Sequence, residues 1–205
     1  MWGVHTLEVA GRKTGAPQHV PVIPIEHDGT LYVGGNFTTI SGVSRSRLAR
    51  IRVSDGGVVS TFNAGSITGE VRDLSLRNGR LWLSGAFTHV GGRAQRALTT
   101  VNPTTGASST FMALPIAGVH NGGVTNVIKF DITPDGSRLV AIGNFDTLSG
   151  IQNHQLFMLD LTGSFAQPST FHTNFFTSAC SASFDTYMRD VDFSPDGSYF
   201  VVGTT

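Results

Sequence analysis

Residues 31–43 read LYVGGNFTTISGV, residues 81–93 read LWLSGAFTHVGGR, and residues 139–151 read LVAIGNFDTLSGI. Each begins as an alternating apolar segment and runs through a glycine to a phenylalanine. Leu31, Val33, Gly35 and Phe37 share one face of a strand, with Tyr32 on the other. Leu81, Leu83, Gly85 and Phe87 repeat that face opposite Trp82, and Leu139, Ala141, Gly143 and Phe145 repeat it again. Strands apolar on both faces belong inside a stack of sheets rather than at a surface. A fourth copy, SYFVVGTT at 198–205, reaches Gly203, which reads as the counterpart of Gly35, Gly85 and Gly143.

A turn dipeptide precedes every copy: Asp28-Gly29, Asn78-Gly79, Asp135-Gly136 and Asp196-Gly197, a period of 50 to 61 residues. Such pairs tolerate the positive φ of tight hairpin turns, so each predicts two antiparallel strands. Upstream lie EVRDLSLRNG, VTNVIKFDITPDG and YMRDVDFSPDG, the first strand of each unit. Downstream, RLARIRV, RALTTVNP and QLFMLDL supply a third strand, in which Leu48, Leu98 and Leu156 correspond. The triplet Ser-Thr-Phe then recurs at 60–62, 109–111 and 169–171 as a short fourth strand with one buried Phe.

Each unit is therefore a four-stranded meander. One such sheet cannot bury two apolar faces alone, and radial stacking of several sheets solves the problem. The expected fold is all-β: a partial β-propeller of four-stranded antiparallel blades, about 3.5 repeats, with an N-terminal β-hairpin. The expected divisions are a non-repeat hairpin at 1–28, repeats at 29–78, 79–135 and 136–196, and an incomplete one at 197–205. A β-sandwich and a solenoid rank lower, because four strands per repeat is the arithmetic of a blade.

The N-terminal segment departs from the repeat. WGVHTLEV and QHVPVIPIE flank the turn AGRKTGAP, and the second of these can stand as the first strand of the first blade. Pro21 and Pro24 argue that one side of this hairpin is an edge. The first segment is either an extra outer strand or a closing one, a strap that completes the fourth sheet and closes the ring; without closure, open blade edges are expected to self-associate.

Composition narrows the function. The chain has 205 residues, 14 Lys plus Arg and 14 Asp plus Glu, so its net charge of zero gives no footprint for nucleic acid. No apolar run approaches the roughly 20 residues of a membrane-spanning helix, and MWGVHTLEVAGRK lacks the apolar core of a signal peptide. A single cysteine, Cys180, has no partner within the chain.

No motif carries chemistry by spacing. GRKTG is not a Walker loop, and a solvated turn accounts for Arg12 and Lys13 more simply than a phosphate site. His5, His19, His27, His89, His120, His154 and His172 form no HExxH or HxH pattern and have no cysteine pair beside them, so no metal site is expected. His89 stands at the loop position of Thr39. Asp131, Asp135, Asp192 and Asp196 lie in DITPDG and DFSPDG, which are first of all turn devices. Asp73 and Asp190 recur at one strand position, each after an arginine, and are expected to pair with a neighbouring blade or cap a loop. Ser41, Ser44 and Ser46 lack a GxSxG elbow. Two long loops, MALPIAGVHNGG and HTNFFTSACSASFDT, interrupt the repeat; Phe175 and Phe176 in the second either form an exposed patch for a protein or glycan or close over the stack.

LYVGGNFTTISGVSRSRLARI and LWLSGAFTHVGGRAQRALTTVNPTTGA resemble the delta-60-type β-propeller repeats of bacterial secreted and cell-surface proteins, over roughly residues 29 to 205. That resemblance implies an exported or cell-surface protein, and it implies that Cys180 is half of a disulfide with a partner beyond residue 205. TLEVAGRKTGAPQHVPVIPIEHDGTLYV resembles the first hairpin of the deazaflavin-dependent nitroreductase family, in which the matching Gly11, Arg12, Lys13, Thr14 and Gly15 would help bind a deazaflavin phosphate. The leading expectation is a non-catalytic interaction or structural module with no cofactor and an unknown protein or glycan partner. The alternatives are a deazaflavin-dependent oxidoreductase, and a glycan-binding or hydrolase propeller whose site lies on other blades.

Overall fold

The computed structural model describes residues 5–10, 17–178 and 183–205, so Arg12, Lys13 and Cys180 lie outside the described residues. Every regular element among them is a strand. The first sheet contains β1 (His5–Ala10), β2 (Pro17–His27), β3 (Thr30–Gly35) and β6 (Leu48–Arg52), and the hairpin β4 (Thr39–Ile40) and β5 (Val43–Ser44) is inserted before β6. The second contains β7 (Val71–Arg77), β8 (Arg80–Gly85) and β11 (Leu98–Val101), with the hairpin β9 (His89–Val90) and β10 (Arg93–Ala94) in the same place.

In the third unit, β12 (Ile116–Ala117) comes first and lies beside the hairpin β15 (Thr147–Leu148) and β16 (Ile151–Gln152). The main sheet there runs in the order β13 (Asn126–Ile132), β14 (Arg138–Asn144), β17 (Leu156–Asp160) and β18 (Gln167–Pro168). The fourth sheet is β19 (Met188–Phe193) with β20 (Phe200–Thr204). Antiparallel meanders stacked through their faces are the architecture of a partial β-propeller.

The stacking follows the alternation in the sequence. Leu81, Leu83 and Phe87 of β8 and its following loop join Tyr32, Leu48 and Phe62 of the first unit in one core cluster. Trp82, on the opposite face of β8, joins Phe130, Leu139, Ala141 and Phe145 of the third. Val140 and Ile142 of β14 turn to Met188 and Val191 of the fourth. Odd and even positions of β8 and β14 thus serve two different interfaces, which is why both had to be apolar.

The recurring glycine sits where a first strand bulges. Gly85 pairs with Val71 and Gly143 with Val127, each beside a register shift. A Cβ on Gly85 would strike the Glu70 carbonyl oxygen, and one on Gly143 would strike that of Asn126. The fourth copy is corrected by register: Thr204, paired with Met188, occupies this position, and Gly203 pairs with Asp190 as Ser84 pairs with Asp73.

Three further expectations change. The Ser-Thr-Phe triplets are turns, and the fourth strand precedes them as the bridges Ile51 to Val58 and Val101 to Ser108 and as the short β18. Phe62 and Phe111 are buried edge-on to Tyr32 and Trp82, but Phe171 is 36% exposed and stacks on Phe200. The N-terminal strand β1 pairs with β2 in the first sheet and does not complete the fourth. One side of the hairpin is an edge, as expected, but that edge is β1; β2 carries the prolines and is paired on both sides, so each proline only removes one ladder donor.

Candidate functional site

One end of the third blade gathers three connections: the segment before β13, the turn after β14 and the turn before β17. Antiparallel pairing brings those three strand ends together. They carry His120, Asp146 and His154. His120 Nδ1 lies 3.0 Å from Asp146 Oδ1, and His154 Nδ1 lies 2.8 Å from the same oxygen. The two imidazoles are inclined at 57° with centroids 5.0 Å apart. One ligand atom from each residue lies within 4.8 Å of the other two.

Asn144, fully buried at the end of β14, fixes the first connection. Its Oδ1 accepts the N–H of His120 at 2.7 Å and of Asn121 at 3.3 Å, and its Nδ2 donates to the Gly122 carbonyl at 2.5 Å and to that of Val124 at 3.2 Å. Asp146 is tied on both sides: its N–H donates to the Ala117 carbonyl at 3.0 Å, and its own carbonyl accepts the Asn153 N–H at 2.7 Å. Gly118 allows the close approach, since a Cβ there would come 2.7 Å from Asp146 Cβ. His154 is positioned by Gln155, whose Nε2 donates to the Phe176 carbonyl and whose Oε1 accepts the Thr186 hydroxyl.

The three side chains grade from buried to open, at 7% exposed for His120, 21% for His154 and 30% for Asp146. Burial works to raise the Asp146 pKa, but the hydrogen bonds from His120 and His154 outweigh it and hold the carboxyl below its usual range. His120 Nε2 is buried and meets no hydrogen-bond partner among the described residues. Two imidazole nitrogens and a carboxylate oxygen around one point, with one side open, is a donor set suited to a divalent transition metal or to proton exchange.

No spacing in the sequence brings these three together: His120 and His154 stand 34 residues apart with no metal-binding motif around either, and Asp146 lies in the third copy of the recurring line. Asp146 takes the place of Thr38 and Thr88 in the first two copies, and His154 the place of Ser46 and Arg96. That double departure from the repeat was the available signal; His120, in a long connection, had none.

The other candidates fall into architectural roles. Asp73 Oδ2 accepts the Phe130 N–H at 3.2 Å and its Oδ1 meets Lys129 Nζ at 3.3 Å, which joins the second sheet to the third. Desolvation raises its pKa to about 6 against the opposing pull of Lys129. Asp190 accepts the N–H of Val191, as Asp73 accepts that of Leu74. Asp131 accepts the Phe193 N–H at 2.7 Å and so joins the third sheet to the fourth.

Asp135 and Asp196 close their turns onto Ser137 and Ser198. Hydrogen bonds from Thr133 and Ser194 are the leading reason their pKa values fall to about 2. Ser41 donates to the Gly56 carbonyl and Ser46 to that of Ile67, and Ser44 lies on β5. His89 bonds Thr88, His172 bonds Asn174, and His27 lies 3.2 Å from Asp28. Phe176 packs on the last interface beside Tyr187, whereas Phe175 is 87% exposed.

A family described as a domain of unknown function (DUF5122) β-propeller matches residues 27–56. That segment runs from the end of β2 through the first recurring line to the turn after β6. No curated protein matches the chain. Among solved structures, hydrazine synthase from Kuenenia stuttgartiensis is similar, with a TM-score of 0.50 and 16% identity over 97% of this chain and 49% of that one. The chain thus spans about half the length of that neighbour, and the likeness is one of fold. Architecture and family match agree on a β-propeller domain.

Proposed function

We propose that the chain is a non-catalytic interaction or structural module of an exported or cell-surface bacterial protein, built from delta-60-type repeats. Its working surface is the outward face of the fourth sheet, and the occupant is a further sheet of the same repeat. One observation carries this. Tyr32, Trp82, Val140 and Val201 hold one register position in successive second strands, and they are 1%, 1%, 0% and 60% exposed. The first three are covered by the sheet that follows; Val201, with Tyr199 at 61%, is not.

The polar groups repeat the pattern. Asp73 receives a backbone N–H and an ammonium from the next sheet, and Asp190, at the same position, presents a carboxylate ready for the same pair. Two copies of this face set against each other would juxtapose Asp190 and Asp192 with their counterparts, so a following repeat fits better than a face-to-face dimer. The export assignment rests on the delta-60-type resemblance alone.

Hydroxyl-radical footprinting tests the surface. Tyr199 and Val201 are expected to be modified in the isolated chain and protected in the protein as its host makes it. Equal modification in both, or protection by a cross-linked partner that is not a repeat sheet, would overturn the proposal.

A further inference from the structure

The structure assigns a second capacity to this module: a zinc-class divalent cation site formed by His120, Asp146 and His154, which fastens the connection between the second and third blades to the third blade's hairpin. The ion takes Nδ1 from each imidazole and Oδ1 from the carboxylate and leaves a solvent-facing position for water, the three-protein-ligand pattern of open zinc sites. Ligand atoms on a tetrahedral metal with bonds of about 2.0–2.1 Å stand about 3.3 Å apart, so the observed Nδ1 to Oδ1 separations of 3.0 and 2.8 Å need to open by only a few tenths of an ångström to admit the ion. A mixed imidazole and carboxylate set favours zinc or a neighbouring first-row ion over calcium or magnesium.

Two observations separate this from ordinary architecture. The first is an internal control. In the second blade, the position of Asp146 is Thr88, whose hydroxyl meets that of Thr68, on the connection from the first blade, at 2.8 Å. The position of His154 is Arg96, whose Nη1 reaches Thr125 Oγ1 at 3.3 Å. The incoming connection of the second blade is thus closed by a hydroxyl pair, and His89, which bonds Thr88 there, belongs to no group of three ligating side chains among the described residues, so the fold itself does not call for the triad.

The second observation is burial: the His120 side chain is only 7% exposed, so its Nδ1 is held out of water against Asp146 Oδ1. Sinking an imidazole there carries a desolvation cost that the hydroxyl pair of the second blade avoids. His154 and Asp146 stay partly open, which gives an ion a way in.

The test is zinc binding by tag-free full chain, followed by calorimetry with Zn2+ alone and by the visible spectrum of the Co2+ form. One ion per chain is expected, with a rise of several degrees in Tm. The variants are Asp146→Thr and His154→Ser, each taken from the same position of another blade so that the fold tolerates it. Each is expected to keep the apo Tm within a few degrees and weaken binding by more than about 100-fold, beyond the effect of an outer-shell change. His172→Ala, at an exposed histidine elsewhere, should leave binding unchanged. Absence of one-to-one uptake at micromolar Zn2+, or uptake that survives Asp146→Thr and His154→Ser, overturns the site. Because footprinting of Tyr199 and Val201 reads a different face, either proposal can fail without the other.

Discussion

Asp73 shows how a single residue links this architecture to solution conditions. Its carboxyl is held by two N–H groups and by Lys129, yet burial dominates and the pKa stands at about 6, above the unfolded 3.8. Between those values the folded chain binds a proton that the unfolded chain has lost, so stability is fully present below pH 4 and falls as pH rises through 6. The expected loss is about 3 kcal/mol, from roughly 1.4 kcal/mol per pKa unit. Urea titrations at pH 4 and pH 7 measure it, and Asp73→Asn should flatten the difference. Asp135 and Asp196 act with the opposite sign. Their lowered pKa values add stability above pH 4 that disappears as pH falls towards 2. Gly143 makes a steric counterpart: Gly143→Ala is expected to lower stability by about 1–3 kcal/mol, because the new Cβ meets the Asn126 carbonyl in the bulge of β13.

At the scale of elements, blades are joined by large side chains that cross from one sheet to the next. Trp82 lies edge-on to Phe111 at 5.9 Å and tilted against Phe130 at 6.4 Å, fully inside the junction of the second and third blades. Trp82→Ala should cost about 3–5 kcal/mol, read as a drop in the urea midpoint. The small hairpins β4–β5, β9–β10 and β15–β16 are the part of the recurring line that alternation did not disclose. Two-residue strands are too short for a period-two pattern, although Ser41-Gly42, Gly91-Gly92 and Ser149-Gly150, all at positive φ, supply their turns. The Ser-Thr-Phe triplets misled for a related reason. A buried Phe identifies an interior position but not a strand, and these rings reach Tyr32 and Trp82 from turns.

For the molecule as a whole, a stack of sheets in which each contacts its neighbours should not be uniformly stable. Amide hydrogens of Val201 and Val202 are expected to exchange faster than those of Leu81 to Leu83, since β8 is covered on both faces and Val201 is open on one. Comparable exchange at both would mean that the fourth sheet draws its stability from elsewhere. The sequence by itself determined the all-β class, the blade period, the two-faced burial of β3, β8 and β14, and the turns between strands. These are local or periodic properties, legible wherever alternation and turn chemistry repeat. Only the tertiary structure decided that β1 joins the first sheet, that Thr204 takes the glycine's place, that Asp73 bridges to Lys129, and that His120 meets Asp146 and His154. Those outcomes depend on register and on contacts between segments distant in sequence, which no local pattern encodes. The convergence of two histidines on one carboxylate oxygen exists only once three strand ends are brought to the same side of one blade.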